Sequence, residues 1–146
     1  PAVVAAELVR VCAPGGRVVV VDFAATEDRT AATAYDDAER LRDPSHVRNL
    51  TAAEQRSLFE ASGWSAERTV AYQLPADLDT VLARSHGVDH AGVRRAFEAS
   101  LDGHGMGVGA RRDGDGITFT YPIAGFRFVA GARYTSHSLS RALAAS

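Results

Sequence analysis

The sequence contains no lysine, only one cysteine and no long apolar run, and each absence narrows what the chain can be. Cys12 has no second cysteine to pair with, so an intramolecular disulfide is excluded and a reducing, cytoplasmic location is expected. No apolar stretch approaches the roughly 20 residues that span a bilayer. The first ten residues also lack the basic leader and cleavage site of a signal peptide. We therefore expect no membrane partner.

The charge of the chain argues against a polyanionic partner. All 16 basic residues are arginine, they are scattered along the sequence, and 18 acidic residues give a formal net charge of −2. Proteins that bind nucleic acid usually concentrate basic residues on one surface, so we expect no nucleic acid partner. The 146 residues, 46% of them hydrophobic, suffice for one domain with its own core.

Strand and helix patterns alternate along the chain, which predicts an α/β fold. The four consecutive valines at 18–21 follow a Pro-Gly-Gly turn and precede Asp22. They predict a strand at 17–23 that is covered on both faces. Two further strands are predicted at 68–74 and 117–128, the second with an irregularity near Pro122, and we expect them to form an antiparallel pair. Helices are predicted at 2–12, 30–42, 51–62, 77–86 and 89–101.

Two stretches resemble the C-terminal half of a class I S-adenosylmethionine-dependent methyltransferase of the ubiquinone/menaquinone-biosynthesis-like group. ELVRVCAPGGRVVVVDF, residues 7–23, is similar to the family's helix, Pro-Gly-Gly turn and fifth strand. LRDPSHVRNLTAAEQRSLFEASGW, residues 41–64, is similar to a family segment in which an Asp-Pro-Ser-His turn leads to a capped helix. The resemblance implies a partial Rossmann-like sheet of the fifth, sixth and seventh strands, the last two antiparallel, flanked by helices.

The resemblance also implies that the cofactor, S-adenosylmethionine, binds mainly outside this chain. In the family it rests on a glycine-rich turn after the first strand and on residues near the second and fourth strands, all of which would precede Pro1. The cofactor-binding residues are therefore unknown. We interpret 1–133 as the C-terminal, acceptor-side part of a methyltransferase domain that is inactive alone, and 134–146 as a tail. Its partner would be a small-molecule methyl acceptor.

Candidate site residues lie at and after the strand at 17–23. Asp22 and Phe23 mark its carboxyl end, where ligands gather in open α/β sheets, although Asp22 could equally cap the following loop. His46 could take a proton from an acceptor hydroxyl or carbon acid, or it could be structural, bonded to Asp43 or to helix-end carbonyls. Arg48 could bind an anionic acceptor or lie solvated on the surface. Tyr35 could line the acceptor pocket.

Other patterns have simpler interpretations. The glycines of GHGMGVG, 103–109, do not lie between a strand and a helix N-terminus, so a flexible linker within a mobile loop at 102–116 is favoured over a dinucleotide site. His86 and His90 have a zinc-compatible spacing, but Gly87 interrupts the helix and no third ligand is spaced to join them, so no metal is expected. The larger aromatic residues could line an acceptor pocket but fit core positions: Tyr35, Trp64, Tyr72, Phe97 and Phe126.

A strand this apolar needs neighbours on both sides. By the resemblance, the final strand would pair with one side and an absent fourth strand with the other. The unpaired edge is a template for association, so we expect a homodimer or higher homo-oligomer. The alternative function, from a different class, is a non-catalytic oligomerisation or partner-docking module that keeps the fold.

Overall fold

The computed structural model describes residues 2–85, 89–101 and 105–131. Helices and strands alternate along this part of the chain, which confirms the predicted α/β fold. The elements in chain order are α1 (Ala2–Val11), β1 (Arg17–Phe23), α2 (Arg29–Arg42), α3 (Ala52–Ala61), β2 (Trp64–Asp77), α4 (Leu78–Ala83), α5 (His90–Ala99), β3 (Arg111–Asp113) and β4 (Gly116–Ala130). The predicted tail at 134–146 lies outside the described residues.

The strands form one sheet in the order β1-β4-β2, with the short strand β3 paired antiparallel to the beginning of β4. Gly15 and Gly16 exchange backbone hydrogen bonds with Ala130, whereas Val21 lies beside Gly125, so β1 and β4 run in opposite directions. Gly131 likewise donates to the Gly63 carbonyl. Val70 lies beside Gly125, so β2 and β4 are also antiparallel. The antiparallel final pair is confirmed, and β3 is a fourth strand that sequence patterns did not predict.

Short-range hydrogen bonds explain where the helices begin. Asp28 precedes α2, and its carboxylate accepts from the backbone N–H groups of Thr30 and Ala31. Asp77 and Asp89 cap α4 and α5 in the same way. An acceptor at this position satisfies N–H groups that have no partner inside the helix. The α2 helix ends at Arg42, as predicted, because the following Asp43 precedes a proline and is extended.

The contacts divide the chain into two compact units, and β2 and β4 contribute to each. Among the described residues, unit 1 contains 2–22, 52–71 and 124–131. Its core joins helices α1 and α3 to the sheet. The Trp64 indole Nε1–H donates to the Ala5 carbonyl at 3.0 Å, and the Phe59 ring stacks on Phe128 at 4.8 Å. Phe126 lies buried beside Phe128.

Strand β1 is not covered on both faces in the described structure, which corrects the prediction. Val19 and Val21 are 67% and 65% exposed, whereas Val18 and Val20 are half-buried. The uniform apolar run conceals this difference, because successive side chains of a strand point to opposite faces and only one face is packed here. Gly125 lies on the face of Val21.

Unit 2 contains residues 23–51 and 72–123 and has a hydrophobic core of its own. Helices α2 and α5 pack against each other there. The buried members of this core are Tyr35, Ala38, Leu78, Leu82, Val93, Phe97, Met106, Val108, Ile117 and Phe119. Within the described residues, no helix has both the length and the apolar character needed to cross a membrane.

Candidate functional site

The loop that follows β1 is held by three different parts of unit 2. The Ala24 N–H donates to the Pro122 carbonyl of β4 at 2.7 Å, and the Ala25 N–H donates to the Leu50 carbonyl at 2.9 Å. Ala25 also forms a parallel bridge with Thr51. The carboxyl end of β1 is therefore connected to the segment that precedes α3, which is the segment carrying His46 and Arg48.

The third contact comes from the glycine-rich loop, of which residues 105–116 are described. Met106 and Val108 are buried in the unit 2 core, and the Val108 carbonyl accepts from the Thr120 N–H at 2.9 Å. Gly107 has φ +69° and lies so close to Thr26 that a Cβ there would be 2.7 Å from the threonine methyl carbon. The prediction of a mobile linker is therefore wrong for 105–116. Its two large apolar residues were the signal of burial, which the surrounding glycines concealed.

A turn at the end of α2 places His46. The Asp43 carboxylate accepts from the Ser45 N–H and hydroxyl at 2.9 and 2.7 Å, and these bonds hold the pKa of Asp43 below its ordinary value. The His46 N–H then donates to the Asp43 carbonyl at 2.9 Å. Arg40 donates to the Val47 carbonyl at 2.7 Å and fixes the segment from the helix side.

The His46 ring lies against a carboxylate of helix α2. Its Nε2 is 2.8 Å from Asp36 Oδ1, and both side chains are largely buried. The same oxygen accepts from the Asn49 backbone N–H and side-chain Nδ2, each at 2.9 Å. Asp36 and Asn49 were missed in the sequence because only folding brings the helix against the following segment. We name this group, Asp36, His46 and Asn49, the histidine cluster.

Phe23 and Tyr35, both predicted to bind the acceptor, lie together. Their rings stack with centroids 4.8 Å apart, and the Tyr121 ring meets Phe23 edge-on at 6.1 Å. Tyr35 is only 3% exposed, and burial raises the pKa of its phenol far above the ordinary value. The negative charge of the Glu39 carboxylate raises the pKa further.

Glu39 is itself held by an arginine one turn along α2. The Arg42 Nε donates to Glu39 Oε2 at 3.1 Å, so the buried carboxylate is charge-paired as well as hydrogen-bonded. Burial also raises the pKa of Tyr121, with the Glu39 charge as the next cause. Tyr35 therefore lies close to the Glu39 charge, and the face of its ring stacks on Phe23.

The remaining sequence candidates are not gathered here. Asp22 is exposed and belongs to unit 1, and Arg48 is exposed on the His46 segment. Trp64 and Phe126 lie in the unit 1 core, and Phe97 lies in the unit 2 core. Tyr72 is 60% exposed.

The described residues contain no group of three or more histidine, cysteine, aspartate or glutamate side chains placed to hold a metal ion. His86, which has the zinc-compatible spacing from His90, lies outside the described residues. His90 Nε2 lies 3.1 Å from the Ser85 carbonyl oxygen.

Comparison with solved structures shows the fold. The chain superposes on YcgJ of Bacillus subtilis with a TM-score of 0.71 at 21% identity, over 88% of this chain and 57% of that one. It superposes on BH2331, a candidate methyltransferase of Bacillus halodurans C-125, with a TM-score of 0.77 at 18% identity, over 90% of this chain and 63% of that one. The chain therefore has the α/β fold found in proteins described as methyltransferases, with an antiparallel pair in its sheet.

Curated proteins give a consistent likeness. Over 78 residues the chain is 33% identical to YcgJ of Bacillus subtilis strain 168, called an uncharacterized methyltransferase, and 30% identical to the uncharacterized protein YafE of Escherichia coli K12. Each match covers 53% of this chain but only 31% and 38% of the two relatives. The chain thus matches about a third of the length of these relatives. No family model matches the sequence.

Proposed function

We propose that this chain is the acceptor-side part of an S-adenosylmethionine-dependent methyltransferase of the ubiquinone/menaquinone-biosynthesis-like group. The observation that carries the proposal is the convergence at the carboxyl end of β1. There the loop 24–26 meets both the His46 segment and the Gly107 loop. The end of a strand in an open α/β sheet is where such folds place ligands. The fold shared with YcgJ supports the same reading.

The residues described here do not fit the cofactor. A glycine-rich cradle needs open backbone amides, but the glycine-rich loop of this chain turns Met106 and Val108 into the core and seats Gly107 against Thr26. The family's cofactor residues would be supplied by polypeptide outside this sequence. In the proposal, this chain contributes the surface that receives the methyl acceptor, and we derive no step through the cofactor.

Two kinds of side chain would meet a small-molecule acceptor in this proposal. His46 would take the proton of a hydroxyl or carbon acid, since it is held beside the loop that ends β1. Phe23 would contact the acceptor with the part of its ring that does not face Tyr35, and Tyr35 would hold that ring in place by stacking on it. Asp22 and Arg48 are exposed and would act at the rim, Arg48 toward an anionic acceptor. We place the protein in the cytoplasm, where a lone cysteine stays reduced.

Isothermal titration with S-adenosylhomocysteine tests the proposal that this chain forms the acceptor side and that other polypeptide binds the cofactor. This chain alone is expected to give no heat of binding, and a longer protein that joins it to an amino-terminal cofactor-binding half is expected to bind. Val47→Arg in the longer protein is a control, since Val47 is 79% exposed, and this variant is expected to bind as the unmodified longer protein does. Tight binding by the chain alone would refute the proposal, and so would absence of binding by the longer protein.

A second candidate is an assembly module, and the open side of β1 favours it. β1 stands at one end of the sheet order, and Val19 and Val21 are exposed on its uncovered face. An apolar edge strand of this kind pairs readily with another chain. We propose a homodimer that meets through this strand or through α1.

Sedimentation velocity at micromolar concentration tests the dimer. The chain is expected to sediment as a dimer, and Val19→Arg is expected to give a monomer. Val47→Arg is the matched control, because Val47 is 79% exposed and does not belong to β1 or α1. A wild-type monomer, or equal effects of the two arginines, would exclude this interface.

A further inference from the structure

We propose that Asp36 and Asn49 are positioning residues that hold the His46 ring with its proton on Nε2, so that Nδ1 is the atom that receives a proton from the acceptor. The proposal deepens the acceptor-side function and rests on it for the identity of the ligand class, a small molecule with an ionisable hydroxyl or activated carbon. The assignment of the ring proton itself rests only on the histidine cluster.

The donors around Asp36 fix the direction of the hydrogen bonds. A backbone N–H can only donate, and the Asn49 N–H points at Asp36 Oδ1 from 2.9 Å. The Asn49 amide approaches the same oxygen at 2.9 Å, and it must present its NH₂ group, since its oxygen would repel the carboxylate. An oxygen surrounded in this way is an acceptor, so we assign the His46 Nε2 at 2.8 Å as the third donor. Asn49 Nδ2 also lies 3.5 Å from Nε2, but its shorter contact, at 2.9 Å, is with Asp36 Oδ1.

The consequence for the imidazole follows from its two nitrogens. In the neutral ring one nitrogen carries the proton and the other has a lone pair. Because Nε2–H is committed to Asp36, the lone pair lies on Nδ1. Within the described part of the chain, no hydrogen bond to Nδ1 is present. The His46 side chain is 16% exposed, and the proposal requires that this exposed part includes Nδ1.

The histidine cluster also places a carboxylate beside the positive charge that the His46 ring would gain on protonation. When an acceptor X–H gives its proton to Nδ1, the X–H bond breaks, its electron pair stays on X, and an Nδ1–H bond forms. The ring then carries a positive charge next to the Asp36 carboxylate, whose charge is opposite and whose Oδ1 is 2.8 Å from Nε2. A carboxylate that orients an imidazole and balances its charge is the arrangement by which histidine bases are held in hydrolytic triads.

Nuclear magnetic resonance of the whole chain labelled with ¹⁵N-histidine tests the orientation. Two-bond ¹H–¹⁵N correlations distinguish the tautomers of a neutral ring, and His46→Gln assigns the signals among the five histidines. The expected result is one tautomer, with the proton on Nε2 and that proton protected from exchange. A ring with its proton on Nδ1, or one that averages between tautomers, would overturn the proposal. This measurement needs no cofactor, so its outcome is independent of the proposed function.

A matched pair of variants separates positioning from packing. Asp36→Asn keeps an oxygen for the three donors and is expected to retain the protected Nε2–H signal. Asp36→Ala removes the oxygen and is expected to lose that signal, while circular dichroism reports whether α2 is intact. If the folded Asp36→Ala variant keeps a single protected Nε2–H, Asp36 is not the positioning residue.

Alkylation with iodoacetamide tests whether Nδ1 can be reached. The folded chain is expected to be modified at Nδ1 of His46, because Nε2 is shielded by Asp36, and tandem mass spectrometry of standards identifies the alkylated nitrogen. In Asp36→Ala the expected change is the appearance of the Nε2 product. A folded wild-type chain that is not modified at His46, or is modified at Nε2, would overturn the role of Nδ1 as the proton acceptor.

Discussion

The substitution Gly107→Ala measures how tightly the glycine-rich loop is fitted to the end of β1. Two costs add at this position. An L-residue at φ +69° is strained by roughly 1–2 kcal/mol. The new Cβ would also lie 2.7 Å from the Thr26 methyl carbon, and overpacking of this kind costs about 1–3 kcal/mol. We expect the free energy of unfolding to fall by about 2–5 kcal/mol.

Gly114→Ala provides the matched control. Gly114 has φ +57°, and a Cβ there would meet no atom within 4 Å, so only the backbone strain remains. This variant should lose roughly 1–2 kcal/mol. Thermal unfolding followed by circular dichroism resolves the difference, since 1 kcal/mol shifts Tm by about 3 °C in a domain of this size.

The substitution Thr26→Ser tests whether the overlap between the new Cβ and the Thr26 methyl group causes the loss of stability. The serine keeps the hydroxyl that accepts from the Asp28 N–H at 3.3 Å and removes only the methyl group. In the double variant Gly107→Ala/Thr26→Ser, part of the loss should be recovered, with a coupling energy of about 1–2 kcal/mol. Equal Tm losses in Gly107→Ala and Gly114→Ala, with no coupling to Thr26, would refute the packing of this loop.

Three further outcomes follow from buried or capping groups. Because the pKa of Tyr35 is raised, the folded chain keeps a proton that the unfolded chain releases; its contribution is complete below about pH 10 and declines above it by about 1.4 kcal/mol per pH unit. Tyr35→Phe should flatten the alkaline decline measured by urea unfolding, and an unchanged slope would contradict this. Trp64→Phe removes the indole N–H that donates to the Ala5 carbonyl and should cost about 0.5–1.5 kcal/mol in the same assay, whereas a neutral result would exclude the 3.0 Å bond. Asp28→Ala should destabilise the chain by about 1 kcal/mol and Asp28→Asn by less, a ranking that fails if the carboxylate does not cap α2.

The positions of most helices and strands could be predicted from residues that are close together in the sequence. The strand at 17–23 was predicted with its observed bounds, because four β-branched residues follow a Pro-Gly-Gly turn. The end of α2 at Arg42 followed from the proline two residues later. Strand β2, in contrast, begins at Trp64 and is much longer than the alternation at 68–74 indicated. Pairing with β4 extends it, and pairing is not a property of the segment itself.

The site was only partly predictable. His46 and the end of β1 could be selected as candidates, since one is a residue suited to proton transfer and the other a place where ligands bind. The partner of His46 could not be selected, because Asp36 looks like one of several acids on an amphipathic helix until the chain folds back on it. The proposed proton on Nε2 depends on that contact, and so does the lone pair on Nδ1.

The α/β class and the places where most elements begin and end could be predicted from the amino-acid order, since these depend on caps, turn residues and β-branched runs within a few positions. The tertiary structure alone decided which face of β1 is covered, that Met106 and Val108 are buried, and that three donors surround one oxygen of Asp36. Each of these depends on residues distant in sequence or on separate elements, and only the packing of those elements brings such residues within a few ångströms.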